Sequence, residues 1–247
     1  MADTLRTESD PLGEIQVPQA ALWGAQTQRA IENFPVSGNR VPRRVLRSIA
    51  RIKKAAATAN QERGHLPASL GDLIRRAADE VVRGDHDSQF PVDVFQTGSG
   101  TSSHMNVNEV IANRANQITG APLGGKSPVH PNDHVNLGQS SNDVFPTAAH
   151  LGALELVRDE VLPALRGLAE ALRERARAFD GVVKVGRTHL QDALPIRLGQ
   201  ELGGHATMME KAARRIEHAS QSLLELPLGG TGVGTGFGAS PGFAKAV

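Results

Sequence analysis

Apolar residues recur at intervals of three and four along much of the chain after residue 40, the spacing that places them on one face of an α-helix. The three longest stripes contain Val45, Ile49, Ile52, Ala56 and Ala59; Leu154, Val157, Val161, Leu165, Leu168 and Leu172; and Leu198, Leu202, Ala206, Met209, Ala213, Ile216 and Leu223. Charged residues lie between the members of the second stripe, which is typical of an amphipathic helix. A shorter helix is predicted over residues 106–118, and the third stripe predicts a helix from about residue 197 to residue 226.

Two local features modify this helical pattern. Pro163 lies inside the second stripe and is expected to kink that helix or divide it in two, because proline lacks an N–H group and clashes with the preceding turn. Strand signals are weak, and the best short candidate is the GVVKV segment at residues 181–185. Long amphipathic helices with few strands predict a mainly α fold built as a helical bundle.

Three polar stretches rich in Gly, Ser, Thr and Asn separate the predicted helices. They are QTGSGTSSHMN at residues 96–106, HPNDHVNLGQSSND at residues 130–143 and GRTHLQD at residues 186–192. All three are predicted to be loops. Loops held between rigid elements often carry binding groups, so these stretches are the candidates for a functional site.

Hydroxyl and amide side chains in two of these stretches suit an anion. Ser140 or Ser141 is a good N-cap for the helix that follows, with Asp143 in its first turn, and capping alone would explain the QSSND segment. The same donors can also bind a carboxylate, because the helix dipole adds to them. In TGSGT at residues 97–101, the glycines would let the backbone approach a ligand, although a flexible turn explains them equally well.

Two further segments suggest a metal or a nucleotide, and their spacing argues against both. His130 and His134 are separated by one helical turn in HPNDH, but Pro131 follows the first histidine and no third ligand stands out. An anion-binding turn or a plain loop is therefore favoured over a metal site. The glycines of LGGTGVGTGFG at residues 228–238 alternate, and the segment lacks the dinucleotide-binding spacing and the P-loop lysine. We expect a helix stop followed by a mobile loop there.

His189 is the candidate for acid–base chemistry. The ordinary pKa of histidine, about 6.5, suits proton transfer near neutral pH. Thr188 beside it could donate a hydrogen bond to a substrate oxygen. A single histidine in a loop is more often structural, and the company of the other polar stretches is what favours a catalytic role.

Composition excludes several classes of function. The 27 Lys and Arg residues balance 26 Asp and Glu residues for a net charge of +1, which gives no electrostatic case for nucleic acid or an anionic membrane surface as a partner. The absence of cysteine excludes disulfides, thiolate zinc sites and cysteine nucleophiles. No apolar run is long enough for a membrane helix, and the polar, acidic N-terminus does not resemble a secretion signal, so a cytoplasmic protein is expected.

The polar stretches and their surroundings resemble class II fumarases of the fumarase/aspartase superfamily. The similar segments are QTGSGTSSHMNVNEVIANRA, HPNDHVNLGQSSNDVFPTAAH, KVGRTHLQDALPIRLGQE, LWGAQTQRAIENFPVSG and GGTGVGTG, and the resemblance covers nearly the whole chain. It implies an N-terminal, mostly helical domain at residues 1–139 and the first, incomplete part of a central bundle of long helices at residues 140–247. It also implies a homotetramer with active sites shared between subunits. Such an enzyme hydrates fumarate reversibly to (S)-malate in the tricarboxylic acid cycle, without a metal or other cofactor.

The same resemblance implies roles for individual residues. The substrate-binding residues would be Ser99, Thr101, Ser140, Ser141, Asn142 and Thr188. His189 would be the catalytic residue that transfers a proton around the departing or arriving water. His130, Asn132 and Asp133 match a second dicarboxylate site known in the family. Physical chemistry agrees, because removing a proton beside a carboxylate puts two negative charges on one group, and fixed hydroxyl and amide donors stabilise that charge.

One departure from the family limits the expected activity. Members carry a G-S-S-x-M-P-x-K-x-N-P loop in their second half, which supplies the serine taken as the carbon-acid base, and this sequence contains no such loop. We therefore interpret the 247 residues as the N-terminal portion of a fumarase. Alone, this portion is expected to be inactive and to expose apolar helix faces.

Two alternatives remain open. Aspartate ammonia-lyase is similar in its elimination chemistry, but it typically has G-R-T-Q-L-Q-D in place of GRTHLQD and a glycine-alanine-glycine run in place of Gly98-Ser99-Gly100. Both positions favour a fumarase. The second alternative is a non-catalytic, truncated helical module that assembles with full-length subunits. The missing loop favours this module, and the intact polar motifs argue against it.

Overall fold

Helices make up most of residues 4–247, which are the residues that this computed structural model describes. The α-helices are α1 (Ala25–Asn33), α2 (Arg43–Glu62), α3 (Ala68–Arg83), α4 (Thr101–Ile118), α5 (Ser141–Leu156), α6 (Leu162–Ala178), α7 (Leu198–Ser220) and α8 (Phe243–Ala246). The strands form two antiparallel hairpins, β1 (Leu5–Asp10) with β2 (Gly13–Pro18) and β3 (Val183–Thr188) with β4 (Gln191–Arg197). The mainly α fold predicted from the hydrophobic pattern is confirmed. No helix in this range is long and apolar enough to cross a membrane.

Contacts within the chain divide it into two compact units. The first unit contains the residues up to Gly152 together with the final segment Leu226–Val247, and the second contains Ala153–Glu225. The first unit therefore holds two of the three polar stretches, and the second holds GRTHLQD. The division into domains at residue 139 stays a prediction.

The predicted stripe of α2 forms part of the core of the first unit. Ile49, Ile52, Ala56 and Ala59 are all buried, and α2 packs against both α3 and α4. Burying each isoleucine contributes about 1.5–3 kcal/mol, so this face stabilises the unit strongly. Lys53 occupies the same face and is also fully buried, which places a polar head group inside an apolar stripe.

Helix α4 starts earlier than the sequence predicts. The prediction of a loop over residues 96–106 is wrong for its second half, since α4 begins at Thr101. Nearly every residue of this helix is buried, so it shows no amphipathic stripe. Its buried polar residues Ser103 and Asn106 each have a hydrogen-bond partner in the segment before the helix. Partners of this kind allow polar residues to begin a buried helix.

A buried carboxylate on α4 holds the first turn of α1. Glu109 accepts hydrogen bonds from the backbone N–H groups of Gly24, Gln26 and Thr27 at 2.9–3.1 Å, and from the Thr27 hydroxyl at 2.6 Å. A helix leaves such N–H groups without an internal partner. Because Gly24 at the cap position has no side chain to offer, Glu109 caps α1 from a different helix.

The second unit pairs two helices and carries the β3–β4 hairpin. Helices α6 and α7 pack against each other through small side chains. The buried ones are Ala169, Ala176, Ala206 and Ala213. Larger apolar side chains on the same helices remain in solvent, with Leu168 49% and Met208 58% exposed. The chain by itself therefore exposes apolar helix faces.

The helix that contains Pro163 is divided just before the proline. Helix α5 ends at Leu156, Val157–Val161 adopts π-helical hydrogen bonding, and α6 begins at Leu162. Pro163 thus lies in the first turn of α6, directly after the π-helical turn, and Val161 and Leu162 keep right-handed helical dihedral angles there. The expected interruption is present, and the wider π-helical turn is the form it takes.

The polar stretch GRTHLQD is a β-hairpin and not the expected loop. Strand β3 covers Val183–Thr188, shifted from the predicted strand at residues 181–185, and it pairs with β4 in an antiparallel register. Helix α7 begins at Leu198, and a short 3₁₀ turn after it ends at Leu224, before the predicted end at residue 226. The pairing of β3 with β4 depends on cross-strand contacts that the spacing of apolar residues does not show.

Replacing Glu109 should destabilise the chain by leaving N–H groups at the start of α1 unpaired. Glu109→Gln keeps the size of the side chain but turns an amide NH₂ group toward donors, so we expect the free energy of unfolding to fall by about 1–3 kcal/mol. Urea unfolding followed by circular dichroism measures this change. The matched control is Glu32→Gln on α1, where the exposed side chain should contribute less than about 0.5 kcal/mol. Equal stability of the two variants would contradict the capping role.

Candidate functional site

Residues 97–101 form the turn that leads into α4, and two hydroxyl groups meet there. Ser99 Oγ and Thr101 Oγ1 lie 2.9 Å apart, with Ser99 exposed and Thr101 half-buried. Gly100 has a φ of 67°, and a Cβ atom at this position would lie 2.5 Å from the ring of Phe145 on α5. Backbone conformation and packing therefore both require a glycine at residue 100, whether or not a ligand approaches it.

Two cavities in the first unit are lined by parts of this turn. One, of about 320 Å³, is lined by Thr101 and by side chains of α1 that include Arg29. The other, of about 500 Å³, is lined by Gly98 and the Phe145 ring among others. Neither of the two is lined by Ser140–Asn142. The two groups of predicted substrate-binding residues in this unit therefore share neither cavity.

The start of α5 is capped by its own residues. The backbone N–H of Ser140 donates to Asp143 Oδ1 at 2.9 Å, and the N–H of Asn142 donates to Ser140 Oγ at 3.3 Å. The Asn142 side chain donates at 2.7 Å to the carbonyl of Gly232 in the glycine-rich segment. Of the two serines proposed as the cap, Ser140 performs this role, which leaves the Ser141 hydroxyl for a different contact.

The Ser141 hydroxyl is the outer end of a series of hydrogen bonds that leads through His104 to Lys53. Ser141 Oγ lies 2.7 Å from Nδ1 of His104 on α4, and Nε2 of the same ring lies 2.5 Å from Nζ of Lys53 on α2. Both Lys53 and His104 are 0% exposed. A predicted substrate-binding serine at the surface is therefore connected to a cluster of nitrogen atoms inside the core.

Lys53 forms no ion pair in the part of the chain that the structure describes. Its Nζ atom bonds to the amide oxygens of Asn136 at 2.8 Å and Gln139 at 2.9 Å. Burial lowers the pKa of Lys53 well below its usual value, and the buried carboxylate of Asp143 opposes this shift. Burial also lowers the pKa of His104 well below its usual value, and the charge of Lys53 lowers it further, so His104 is a neutral imidazole.

Asp143 anchors the glycine-rich segment to the start of α5. Its Oδ2 atom accepts hydrogen bonds from the backbone N–H groups of Gly229 at 3.0 Å and Thr231 at 2.9 Å. Thr231 is buried and has a φ of 58°, a conformation that other contacts must hold in place. The sequence predicts a mobile loop here; the structure instead ties residues 229–232 to Asp143 and Asn142.

The HPNDH segment forms a local turn of its own. Pro131–Val135 is one π-helical turn, and His130 Nδ1 accepts the backbone N–H groups of Asn132 and Asp133 at 3.3 and 3.1 Å. His134 Nδ1 accepts the N–H of His130 at 2.9 Å. Each ring thus uses one nitrogen to hold the backbone. Residues 4–247 contain no cluster of three side chains suited to a metal ion.

Thr188 and His189 lie in the second unit, at the tip of the β3–β4 hairpin. Thr188 pairs with Gln191, which leaves His189 and Leu190 as a two-residue turn. These two residues have φ values of 52° and 62°, in the left-handed region that costs a non-glycine residue about 1–2 kcal/mol. All of the tip is exposed, and Leu190 is 93% exposed. Backbone strain of this kind is concentrated at functional sites.

The structure brings some of the predicted site residues together. Ser140–Asn142 lie at one helix start, and through Ser141 they contact the helix that Ser99 and Thr101 introduce. The predicted second site around His130 is a separate local turn. Thr188 and His189 belong to the other compact unit.

Four side chains behind this site, two buried and two half-buried, were not predicted from the sequence. They are Lys53, His104, Asn136 and Gln139. One signal was present, since a lysine on the apolar stripe of α2 needs buried acceptors. His104 and the two amides lie inside the polar stretches, but nothing in their spacing pairs them with a residue on α2.

The chain is similar to known proteins over nearly its whole length. A protein-family model described as lyase matches residues 13–247. The chain belongs to this lyase family. The chain is 59% identical to the class II fumarate hydratase of Halobacterium salinarum, in an alignment that covers 99% of the chain and 52% of the relative. The resemblance to class II fumarases drawn from the motifs is confirmed.

Solved structures of related proteins are similar over almost the whole chain. A fumarate lyase:delta crystallin from Brucella melitensis, solved bound to cobalt, is 45% identical with a TM-score of 0.94, covering 98% of this chain and 53% of that one. A recombinant class II fumarase from Schistosoma mansoni is 43% identical with a TM-score of 0.93, covering 98% and 51%. The chain therefore spans about half the length of the curated relatives and structures that it matches.

Replacing Asp143 with asparagine (Asp143→Asn) should release the glycine-rich segment from α5. The amide has a single oxygen, and when that oxygen keeps its hydrogen bond with the Ser140 N–H, the NH₂ group faces the N–H groups of Gly229 and Thr231. We expect the amide hydrogens of Gly229 and Thr231 to exchange with solvent about tenfold to a hundredfold faster. Hydrogen exchange followed by NMR measures these rates. Asp133→Asn, which changes an exposed carboxylate, is the control and should leave both rates unchanged.

Proposed function

We propose that this chain is part of a class II fumarate hydratase, which adds water reversibly to fumarate to give (S)-malate. The observation that carries the proposal is the 59% identity to the Halobacterium salinarum fumarate hydratase over 99% of the chain. Two motif positions support it against aspartate ammonia-lyase. His189 in GRTHLQD and Ser99 between two glycines both follow the fumarase pattern.

Donors at the starts of α4 and α5 support a dicarboxylate ligand. Ser99 and Thr101 present hydroxyl groups where α4 begins, and Ser141 and Asn142 present a hydroxyl and an amide in the first turn of α5. When a proton leaves the carbon beside a carboxylate, that carboxylate gains a second negative charge. Fixed donors at a helix N-terminus stabilise this charge more than they stabilise the substrate. In the proposal these four residues and Ser140 bind the substrate carboxylates.

The hairpin tip supplies the proton transfer in this proposal. His189 carries an imidazole, which can both accept and donate a proton near neutral pH. The hydroxyl of Thr188 beside it binds a substrate carboxylate. The exposure of both side chains in this chain leaves them available to a substrate. His130, Asn132 and Asp133 form a second dicarboxylate site, whose role is separate from the chemistry.

Assembly is the second part of the proposal. The enzyme is a homotetramer with active sites shared between subunits, acting in the cytoplasm in the tricarboxylic acid cycle, with no cofactor. The exposure of Leu168 and Met208 on α6 and α7 supports it, because large apolar side chains in solvent mark surfaces that other helices cover. The same exposure supports the idea that the 247 residues alone do not form the complete enzyme.

The proposal is tested in a chimera that joins this chain to the part of the Halobacterium salinarum relative that the chain does not match. We expect the chimera to consume fumarate and form malate, and the 247-residue chain alone to form none. His189→Asn in the chimera should lower kcat by about 10²- to 10⁴-fold, because the general acid–base group is lost. The rate of fumarate loss is followed by its ultraviolet absorbance.

His205→Asn is the matched control, because His205 is also exposed and lies in the same unit on α7. It should leave kcat unchanged within about twofold. Release of ammonia from L-aspartate above background by the chimera would show an ammonia-lyase instead. An inactive chimera that still co-purifies with a complete fumarase would favour the non-catalytic module.

A further inference from the structure

Lys53 is held by three acceptors and by no carboxylate within hydrogen-bond distance, among the residues that the structure describes. His104 Nε2, Asn136 Oδ1 and Gln139 Oε1 lie 2.5, 2.8 and 2.9 Å from its Nζ atom. A charged ammonium has three N–H donors and no lone pair. The three acceptors therefore match a charged Lys53 completely, and each donor has one partner.

The contact between Lys53 and His104 contains one proton, because two nitrogen atoms 2.5 Å apart share a single hydrogen bond. When Lys53 is charged it donates this proton, so His104 Nε2 must carry a lone pair. A neutral imidazole then holds its hydrogen on Nδ1. Nδ1 lies 2.7 Å from Ser141 Oγ and donates to it. The hydroxyl hydrogen of Ser141 is then free to point away from the core.

A neutral Lys53 reverses two hydrogen bonds, the one between Lys53 and His104 and the one between His104 and Ser141. The amine keeps two hydrogens for the amide oxygens of Asn136 and Gln139, and its lone pair accepts a hydrogen from His104 Nε2. The lone pair of His104 now lies on Nδ1 and accepts the hydroxyl hydrogen of Ser141. In this state the hydroxyl turns inward and presents only lone pairs to a ligand.

We propose that Lys53 and His104 are positioning residues that, when Lys53 is charged, fix the Ser141 hydroxyl as a hydrogen-bond donor to a carboxylate at the start of α5. Neither residue touches the ligand; both act through Ser141. The identity of that carboxylate as the substrate's rests on the proposed function. The hydrogen-bond arrangement of Lys53, His104 and Ser141 does not rest on the proposed function, because it follows from distances within the first unit.

This device couples ligand binding to a proton. Burial lowers the pKa of Lys53, and the titratable groups that face it are His104 on α4 and Asp143 on α5, whereas the segment of residues 136–139 faces it with amides. Below the lowered pKa of Lys53 the outward state of Ser141 prevails. Above it the inward state prevails, so affinity for a carboxylate falls by up to about tenfold per pH unit as the pH rises.

The first experiment reads the tautomer of His104 by NMR of the nitrogen-labelled chain, with its signals assigned from the variants at residue 104. We expect the Nδ1–H tautomer at low pH and a change to Nε2–H as the pH rises, together with the titration of Lys53. Lys53→Met should give the Nε2–H tautomer at all pH values, because residue 53 then has no N–H group that donates to the Nε2 lone pair. Lys54→Met is the matched control, since Lys54 is the next residue on α2 but bonds to Asp79 at the surface.

The second experiment uses two replacements of His104 in the fumarate-hydrating chimera. His104→Gln can accept from Lys53 through Oε1 and donate to Ser141 through Nε2, so it should keep the KM for fumarate within about threefold of the parent. His104→Leu interrupts the chain and should raise KM about tenfold or more, with a smaller change in kcat. The KM of the parent should rise with pH, and that of Lys53→Met should be raised and independent of pH.

The outcomes separate this inference from the proposed function. A His104 ring with Nε2–H at low pH, or a tautomer unaffected by Lys53→Met, would overturn the inference even if the chimera is active. If Lys53→Met does not fold, the pH titration of the parent and the two His104 variants still test the inference. Equal KM values for His104→Gln and His104→Leu would contradict it. If His104 shows the expected tautomer change but the chimera is inactive, the hydrogen-bond series is supported and the proposed function is rejected.

Discussion

The first unit depends on a buried amino group, that of Lys53, which no carboxylate of residues 4–247 binds directly. Moving a charge out of water is costly unless polar groups replace the water, and here three acceptors from two segments replace it. His104 comes from α4, while Asn136 and Gln139 come from the segment before α5. Since all three must reach Lys53 on α2, satisfying one side chain fixes the positions of two helices and of a polar stretch.

The same requirement explains how a helix start becomes a prepared binding surface. Asp143 faces inward, holding the glycine-rich segment and adding a negative charge near Lys53, while Ser140 caps the helix. These contacts leave Ser141 and Asn142 in the first turn of α5. Because their backbone is already held, a carboxylate that binds there would not have to order it.

The second unit is stabilised in a different way. Its two helices pack through alanines, and much of the larger apolar surface of α6 and α7 stays in solvent. It also holds His189 and Leu190 in a conformation that non-glycine residues disfavour. A unit with a small core and a strained turn has a low free energy of unfolding by itself. This agrees with a chain that spans about half the length of its curated relatives.

The helical stripes, the mainly α fold and the family motifs follow from the sequence by itself. Apolar spacing and residue identity are local properties, so α2, α6 and α7 could be predicted to within a few residues, and GRTHLQD could be recognised from its letters alone. Where partners are non-local, local pattern is not sufficient. The early start of α4 and the β3–β4 pairing depend on hydrogen bonds to neighbouring segments that apolar spacing does not show. The anchoring of residues 229–232 depends on Asp143, which lies more than 80 residues away. Only the tertiary structure decided that Lys53, His104 and Ser141 are linked in one series of hydrogen bonds, because the two bonds that join them connect residues far apart in sequence.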